Sequence, residues 1–275
     1  MIIDVEKCHN SNNCFLSVAD EYMGNEHPGY STAMPKHGHH WINILRNERG
    51  QAPMVDVTYL PTMCNHCDDA PCMKVAKNEA ITKRPDGIMI IDPEKAKGQK
   101  QIIDACPYKA IWWNEEKEVP QVWIFDAHLL DDGWEKPRAE SVCATGAIVA
   151  KRVSDKKMAE IVKTEELEVL QPELGTKPRV YYKNLYRFNK CFIGGSVAIE
   201  NNGITDCIQN ASVKLIHRSD IISETSTDIF GDFKFDKLDE NSGKYTIEIS
   251  AKGHKSESIN IDLKTSITLD DIYLK

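Results

Sequence analysis

The chain has 275 residues, 41% of them hydrophobic and 28% charged, with a formal net charge of −8. That length suits about two domains of ordinary globular composition. The acidic balance leaves no basic stripe for phosphates and no apolar run is long enough to cross a bilayer, so neither nucleic acid nor a membrane is expected as a partner.

The chain enters Val5-Glu6-Lys7-Cys8 at once, without the apolar leader of a secreted protein. Its nine cysteines are odd in number and clustered, unlike a disulfide framework, so a reducing cytoplasm is the expected setting. Seven of the nine lie between Cys8 and Cys143. The first run is Cys8-x-x-Ser11-x-x-Cys14, with Val18 four residues on. His37-Gly38-His39-His40 follows beside Trp41; it is read as a structured loop at a subunit interface, since no carboxylate set accompanies it. Next comes the dense run Cys64-Asn65-His66-Cys67-Asp68-Asp69-Ala70-Pro71-Cys72. Strand-like pieces Gly87–Ile91 and Ala110–Trp113 flank Ala105-Cys106-Pro107-Tyr108, and Val142-Cys143-Ala144-Thr145-Gly146 closes the cysteine region. Trp112, Trp113 and Trp123 are expected to pack over a metal group or a partner and keep water away. Asp131-Asp132 reads as a solvated turn.

Beyond about residue 150 the composition changes. A charged helix is expected from Ser154 to Leu170, capped by Ser154, with Met158, Ile161 and Val162 at helical spacing and Gln171-Pro172 ending it. Lys177–Tyr182 reads as an extended connector. From about Lys190 prolines vanish and apolar/polar alternation recurs in Val197–Ile199, Ala211–Ile216, Phe233–Phe235, Tyr245–Ile249, Ile259–Leu263 and Ile267–Tyr273. Phe230-Gly231-Asp232 and Glu240-Asn241-Ser242-Gly243 supply turns. This predicts an all-β sandwich or barrel, a scaffold or docking module in which Cys191 and Cys207 are buried small hydrophobes.

Three local thiolates joined by a distant Cys-Pro is how bacterial-type ferredoxin runs build a [4Fe–4S] cage. Cys64, Cys67, Cys72 and Cys106 are therefore expected to hold one such cluster. Structural zinc also takes four thiolates but more often through two paired CxxC knuckles. His66 lies between two ligands and is expected beside the cluster, not on it. Cys8, Cys14 and Cys143 can supply three ligands to a second site. Ser11 would be a harder fourth ligand, an alkoxide. With Ser11 the second cluster is [4Fe–4S]; without it, [3Fe–4S] or a [4Fe–4S] cluster with one open iron. The alternative is that these three cysteines are remnants.

This order of motifs resembles the iron–sulfur subunits of the DMSO-reductase superfamily, and within it the small subunits of the pyrogallol–phloroglucinol transhydroxylase family. The resemblance spans nearly the whole chain. It includes Asn12–Phe15, Pro28-Gly29-Tyr30, His39–Ile44, Ile91–Gly98, Ala127–Asp132 and Pro172–Tyr186, as well as the appended β domain. It implies an α+β architecture: a double-ferredoxin-like iron–sulfur domain at 1–152, a helix and connector at 153–188, and a β-sandwich or barrel of the Cna-B/transthyretin-like kind at 189–275. It further implies a heterodimer whose large subunit holds molybdenum on two molybdopterin guanine dinucleotides and acts on polyhydroxylated aromatics, this chain being the non-catalytic subunit of an oxidoreductase. One cluster of the family would need cysteines where Val18, Trp123, Asp126 and Ala139 stand, and another site of the superfamily where Ala76, Ala96, Gln99 and Ile102 stand. Both are expected to be missing here. Two other roles stay open on the sequence: electron transfer for another DMSO-reductase-type oxidoreductase or aromatic-ring hydroxylase, and a structural subunit with a vestigial cluster.

Overall fold

In the computed structural model, which describes residues 1–201 and 203–275, the chain divides into two units: Met1–Arg46 with Tyr59–Leu185, and Asn47–Thr58 with Tyr186–Lys275. The expected boundaries put 47–58 in the first domain, whereas this segment groups with the second unit. The expected connector, up to Leu185, groups with the first.

The first unit is organised around a short central strand. Strand β1 (Ile2–Asp4) is followed by helix α1 (Asn13–Tyr22), then β2 (Ile42–Gln51) and β3 (Met54–Met63), which form a hairpin. The short helix α2 (Pro71–Val75) starts on a proline, whose fixed φ suits the first helical position. Strands β4 (Ile81–Lys83) and β5 (Met89–Ile91) pair next, then come helix α3 (Gln101–Asp104) and the pair β6 (Trp112–Asn114) and β7 (Val119–Gln121). Helices α4 (Ala127–Asp131) and α5 (Arg138–Ser141), strand β8 (Ile148–Val149), helix α6 (Asp155–Thr164) and strand β9 (Tyr181–Lys183) complete the unit. β1 lies between β8, antiparallel, and β9, parallel. The β4–β5 turn closes with Gly87 N–H donating to the Arg84 carbonyl (2.9 Å) and Asp86 accepting from Ile88 N–H (3.1 Å). Gly87 has φ +87°, and a Cβ there would sit 2.8 Å from Arg179, so both conformation and space ask for glycine.

Two expectations change here. Helix α6 begins on Ser154 as predicted, its hydroxyl accepting from Lys157 N–H at 3.3 Å, but it ends at Thr164, not Leu170. Leu167 is buried, and Glu168 exchanges backbone hydrogen bonds with Tyr182 (2.8 and 2.7 Å), which a continued helix would forbid. The expected connector is partly strand: Tyr182 is fully buried in β9, and its hydroxyl donates to the Pro61 carbonyl (3.0 Å).

The second unit is largely β. After helix α7 (Tyr186–Asn189) come β10 (Cys191–Asn201), β11 (Ile204–Cys207), β12 (Ser212–His217), β13 (Asp220–Ser226), β14 (Asp232–Leu238), β15 (Gly243–Ser250), β16 (Glu257–Leu263), β17 (Ile267–Thr268) and β18 (Ile272–Tyr273). One sheet runs β11-β10-β14, with β17 and β18 also on β10; the other runs β13-β12-β15-β16. Period-2 burial puts Phe233 and Phe235, Val213 and Leu215, and Tyr245, Ile247 and Ile249 into one shared apolar core with Ile193 and Val197. Cys191 joins that core, but Cys207 does not: it lies on β11, whose four residues are all exposed. Buried Arg49, on the part of β2 in this unit, donates two hydrogen bonds to Asp236 (2.7 and 2.9 Å) and two to Asp56 (3.0 and 2.7 Å).

Candidate metal centre

The four cysteines of the dense run and its distant partner are brought together by three pieces of local structure. Cys64 and Cys67 lie on the loop after β3, Cys72 opens α2, and Cys106 follows α3, its N–H donating to the Ile103 carbonyl (3.1 Å). The strand-side segment Thr176–Arg179 runs along the loop: Asp69 N–H reaches the Thr176 carbonyl (3.0 Å), Asp68 N–H the Lys177 carbonyl (2.9 Å) and Arg179 N–H the Asn65 carbonyl (2.9 Å). Lys83 ties the loop from the other side, its Nζ donating to the carbonyls of His66 (2.8 Å) and Cys67 (2.7 Å).

Burial raises all four thiols, and in three of them the neighbouring thiols add to it. Burial pushes the Cys64 thiol well above its ordinary range, and Cys106, Cys72 and Cys67 add to it. Burial, then Cys106 and Cys67, push Cys72 up to about 12. Burial raises Cys67 against the pull of a hydrogen bond from Thr176. Burial raises Cys106, against the opposing pull of the backbone at Ala110, Tyr108 and Lys109. Four inward-facing thiols, none in a disulfide, make poor acids unless a cationic centre takes their protons' place. Asn65 leaves both amide atoms, and His66 its Nε2, buried without a partner in the same loop. His66 Nδ1 accepts from Met89 N–H (3.1 Å), and burial drops its pKa to about 3, so the ring is neutral. Among the described residues no three cysteine sulfurs lie within 4.8 Å of one another. A lone tetrahedral zinc with Zn–S of about 2.3 Å needs sulfurs about 3.8 Å apart. The donor set, four thiols from one loop and a distant turn, fits a multi-iron group.

Cys8, Cys14 and Cys143 also converge. Burial raises Cys8, with Cys143 adding to it, and burial, then Cys8 and Cys143, raise Cys14 to about 11. Cys143 sits in the same turn as Cys106. Its N–H donates to Glu140 O (3.1 Å) and its carbonyl accepts from Gly146 N–H (3.1 Å), as Cys106 accepts from Lys109 N–H (3.1 Å). The loss of proline after Cys143 has not altered that turn. Ser11 is exposed on the loop between Cys8 and Cys14.

The two cysteine-free sets do not fit clusters. Val18, Trp123, Asp126 and Ala139 are all at most 1% exposed. Asp126 accepts from Tyr22 OH (2.9 Å), Trp123 Nε1 (2.8 Å) and Arg138 N–H (2.8 Å), so both of its oxygens are engaged by the protein. Gln99 fills the other place. Its Oε1 accepts from Lys77 N–H (2.8 Å), and its Nε2 donates to the carbonyls of Lys77 (3.1 Å) and Lys95 (2.7 Å), over fully buried Ala96 and Ile102.

Other residues singled out in the sequence resolve differently. His39 is buried, with Nε2 against the Trp113 carbonyl (2.9 Å) and Nδ1 accepting from Trp41 Nε1 (3.3 Å), so neither nitrogen is left for a metal. Asp131 is no bare solvated turn: it takes both Arg84 nitrogens (2.7 Å each) and Tyr30 OH (2.6 Å). Sequence spacing gives no sign of Glu21, His27 and His128, whose ligand atoms lie within 4.8 Å of one another, with Arg138 on the second oxygen of Glu21. Nor does it point to Thr176 beside Cys67, because contacts distant along the chain leave no local period.

Residues 55–153 match the 4Fe-4S dicluster domain family. The chain thus carries a ferredoxin-like 4Fe-4S domain followed by a largely β C-terminal region, and the relatives that follow are iron–sulfur subunits of oxidoreductases. The chain is 47% identical to the pyrogallol hydroxytransferase small subunit of Pelobacter acidigallici, over 96% of this chain and 95% of that one, and it belongs to that family. More distantly it is 28% identical to the arsenate respiratory reductase iron–sulfur subunit ArrB of Shewanella sp. ANA-3, over 66% of this chain and 94% of that one. It is 30% identical to a tetrathionate reductase subunit of Salmonella typhimurium, over 67% of this chain and 72% of that one.

Proposed function

We propose that this chain is the iron–sulfur subunit of a heterodimeric molybdenum enzyme that transfers hydroxyl groups among polyhydroxylated aromatics. Its partner in this reading is a large subunit holding molybdenum on two molybdopterin guanine dinucleotides, where the reaction occurs. No residue of this chain is assigned catalysis. The observation that carries the reading is the 47% identity running along nearly the full length of both chains.

Cys64, Cys67, Cys72 and Cys106 are assigned to a [4Fe–4S] cluster. Cys8, Cys14 and Cys143 are assigned to a second, [4Fe–4S] with Ser11 as fourth ligand or [3Fe–4S] without it. Such groups store single electrons. The chain's own contribution is to bury the thiolates and hold the loop through Lys83. The matching turns around Cys106 and Cys143 support a double-ferredoxin arrangement over 1–152, and the two sheets with one core support a sandwich over 189–275. The described residues contain no helix long and apolar enough to cross a membrane, and the free thiols suit a reducing cytoplasm.

The test is anaerobic co-purification with the large chain, followed by metal analysis and assay with pyrogallol and phloroglucinol. Iron in this chain, molybdenum in its partner and hydroxyl transfer without external electrons are expected. A lone colourless protein overturns the reading. The reductase relatives favour one second reading, a subunit that exports electrons; turnover that depends on an added redox dye would select it.

A further inference from the structure

Three side chains outside the cysteine sets meet at one point of the first unit. Glu21 lies in the last turn of α1, His27 in the turn that follows it and His128 in α4. A ring nitrogen of each histidine and an oxygen of Glu21 lie within 4.8 Å of one another. His128 Nε2 is 2.9 Å and His27 Nε2 4.0 Å from Glu21 Oε1. The two imidazoles have ring centroids 4.0 Å apart, and Tyr22 packs edge-on against both (5.1 and 5.5 Å). The backbone fixes His27: its N–H donates to the Ser31 carbonyl (2.9 Å), and its carbonyl accepts from Tyr30 and Ser31 N–H (2.9 Å each). Arg138 donates to the other oxygen of Glu21 and also to Asp20 (2.5 Å), so its charge is met on both sides and Oε1 is left to the imidazoles. His128 Nδ1 is buried with no partner. Buried polar atoms are ordinarily paired, so this ring is not fully used by the protein around it. The three side chains keep 12–16% of their surface exposed, which leaves the cluster reachable from solvent.

We propose that Glu21, His27 and His128 bind one divalent ion of the zinc class, with a solvent molecule as fourth ligand. Two imidazoles and a carboxylate are a donor set that zinc takes, whereas magnesium and calcium prefer oxygen throughout. Zinc bonds of about 2.0–2.2 Å place tetrahedral ligand atoms about 3.3–3.5 Å apart. The separations of 2.9 and 4.0 Å straddle that spacing, so small ring rotations suffice. Arg138, by holding one carboxylate oxygen, orients Glu21 to bind through the other, the part that outer partners play around metal ligands. The ion would tie α1, the His27 turn and α4 together beside the place closed by Asp126, which accepts from Tyr22 OH and Arg138 N–H. The site shares no residue with either cysteine set and does not rest on the cluster assignments.

The experiment is equilibrium dialysis of the anaerobically purified holoprotein against zinc chloride, after removal of loosely held metal with a mild chelator. Zinc and iron are counted by mass spectrometry. Wild type is expected to hold one zinc per chain more than His27→Ala, with equal iron in the two. Loss of an outer partner costs about 10–100-fold in metal affinity, so loss of a ligand in His27→Ala should cost at least about 100-fold. Magnesium chloride in place of zinc should give no difference between the two proteins; a magnesium difference without a zinc difference overturns the assigned class. Equal zinc in wild type and His27→Ala overturns the site, because the metal then sits elsewhere, and no zinc in wild type overturns it equally. If His27→Ala fails to fold, Glu21→Gln, which keeps the side chain's shape, decides by the same count. Absence of iron with the zinc difference intact would count against the cluster assignments and leave this site standing.

Discussion

Asp126 stands where the family resemblance implies a cysteine, and its carboxylate is held by hydrogen bonds. Tyr22 OH, Trp123 Nε1 and Arg138 N–H all point at its carboxylate at 2.8–2.9 Å. The absence of thiols at Val18, Trp123 and Ala139 is legible in the sequence. How the gap is filled is not, because Tyr22 and Arg138 come from distant helices. Asp126→Ala should leave three buried donors unpaired, each costing about 1–3 kcal/mol. Thermal unfolding followed by circular dichroism is expected to lose at least about 3 kcal/mol of stability in this variant. An unchanged melting temperature would mean the carboxylate is not what closes the site. The same logic explains why Cys64, Cys67 and Cys72 are readable and Thr176 is not: the cysteines share one loop, whereas Thr176 reaches that loop, through the Asp69 N–H to Thr176 carbonyl bond, only by tertiary folding.

At the level of elements, legibility follows burial. β12, β14 and β15 are legible because one face is buried and alternates with a polar one. β11 and β13 leave no such pattern, being exposed nearly throughout. Helix α6 is shorter than its periodicity suggests, because Ile161 and Val162 keep the helical period while Leu167 is required for the core. The β2 segment that carries Arg49 gives no warning of its role, since the carboxylates it pairs with come from β3 and β14. Burial raises Asp56 and Asp236, but the guanidinium hydrogen bonds win and hold both below the ordinary carboxylate range. Depressed carboxyls stabilise the fold fully above their unfolded pKa of about 4, and this stabilisation is lost as pH falls through the lower folded values. The second unit should therefore keep its stability from neutral pH to about pH 4–5 and weaken below it. Arg49→Met removes four hydrogen bonds from Asp56 and Asp236, which keep Arg187 and Lys234 as partners, and should cost about 1.5–3 kcal/mol at neutral pH. Chemical denaturation of the full chain at pH 7 and pH 3.5 tests both. If Arg49→Met were as stable as wild type at pH 7, the ion pairs would be surface ornament.

For the whole molecule, the cysteine pattern and the plugs set a limit on iron. Two sets of thiols converge; two further places are closed by Asp126 and by Gln99. Each cubane carries four irons, so the holoprotein should contain about eight per chain, or about seven if Ser11 leaves its corner open. Twelve would require the Trp123–Asp126 plug to give way, which its buried hydrogen bonds oppose. Removing one ligand should act on one set alone, because the sets share no cysteine: Cys67→Ser should lose about four irons, and Cys143→Ser only those of the other site. Colorimetric iron and sulfide on the purified variants, with EPR to separate the signals, measures this. Loss of all iron in both variants would mean that the two sites assemble as one unit. Loss in neither would mean that the buried thiols bind no iron, and with it the electron-storing role assigned to this subunit would fall.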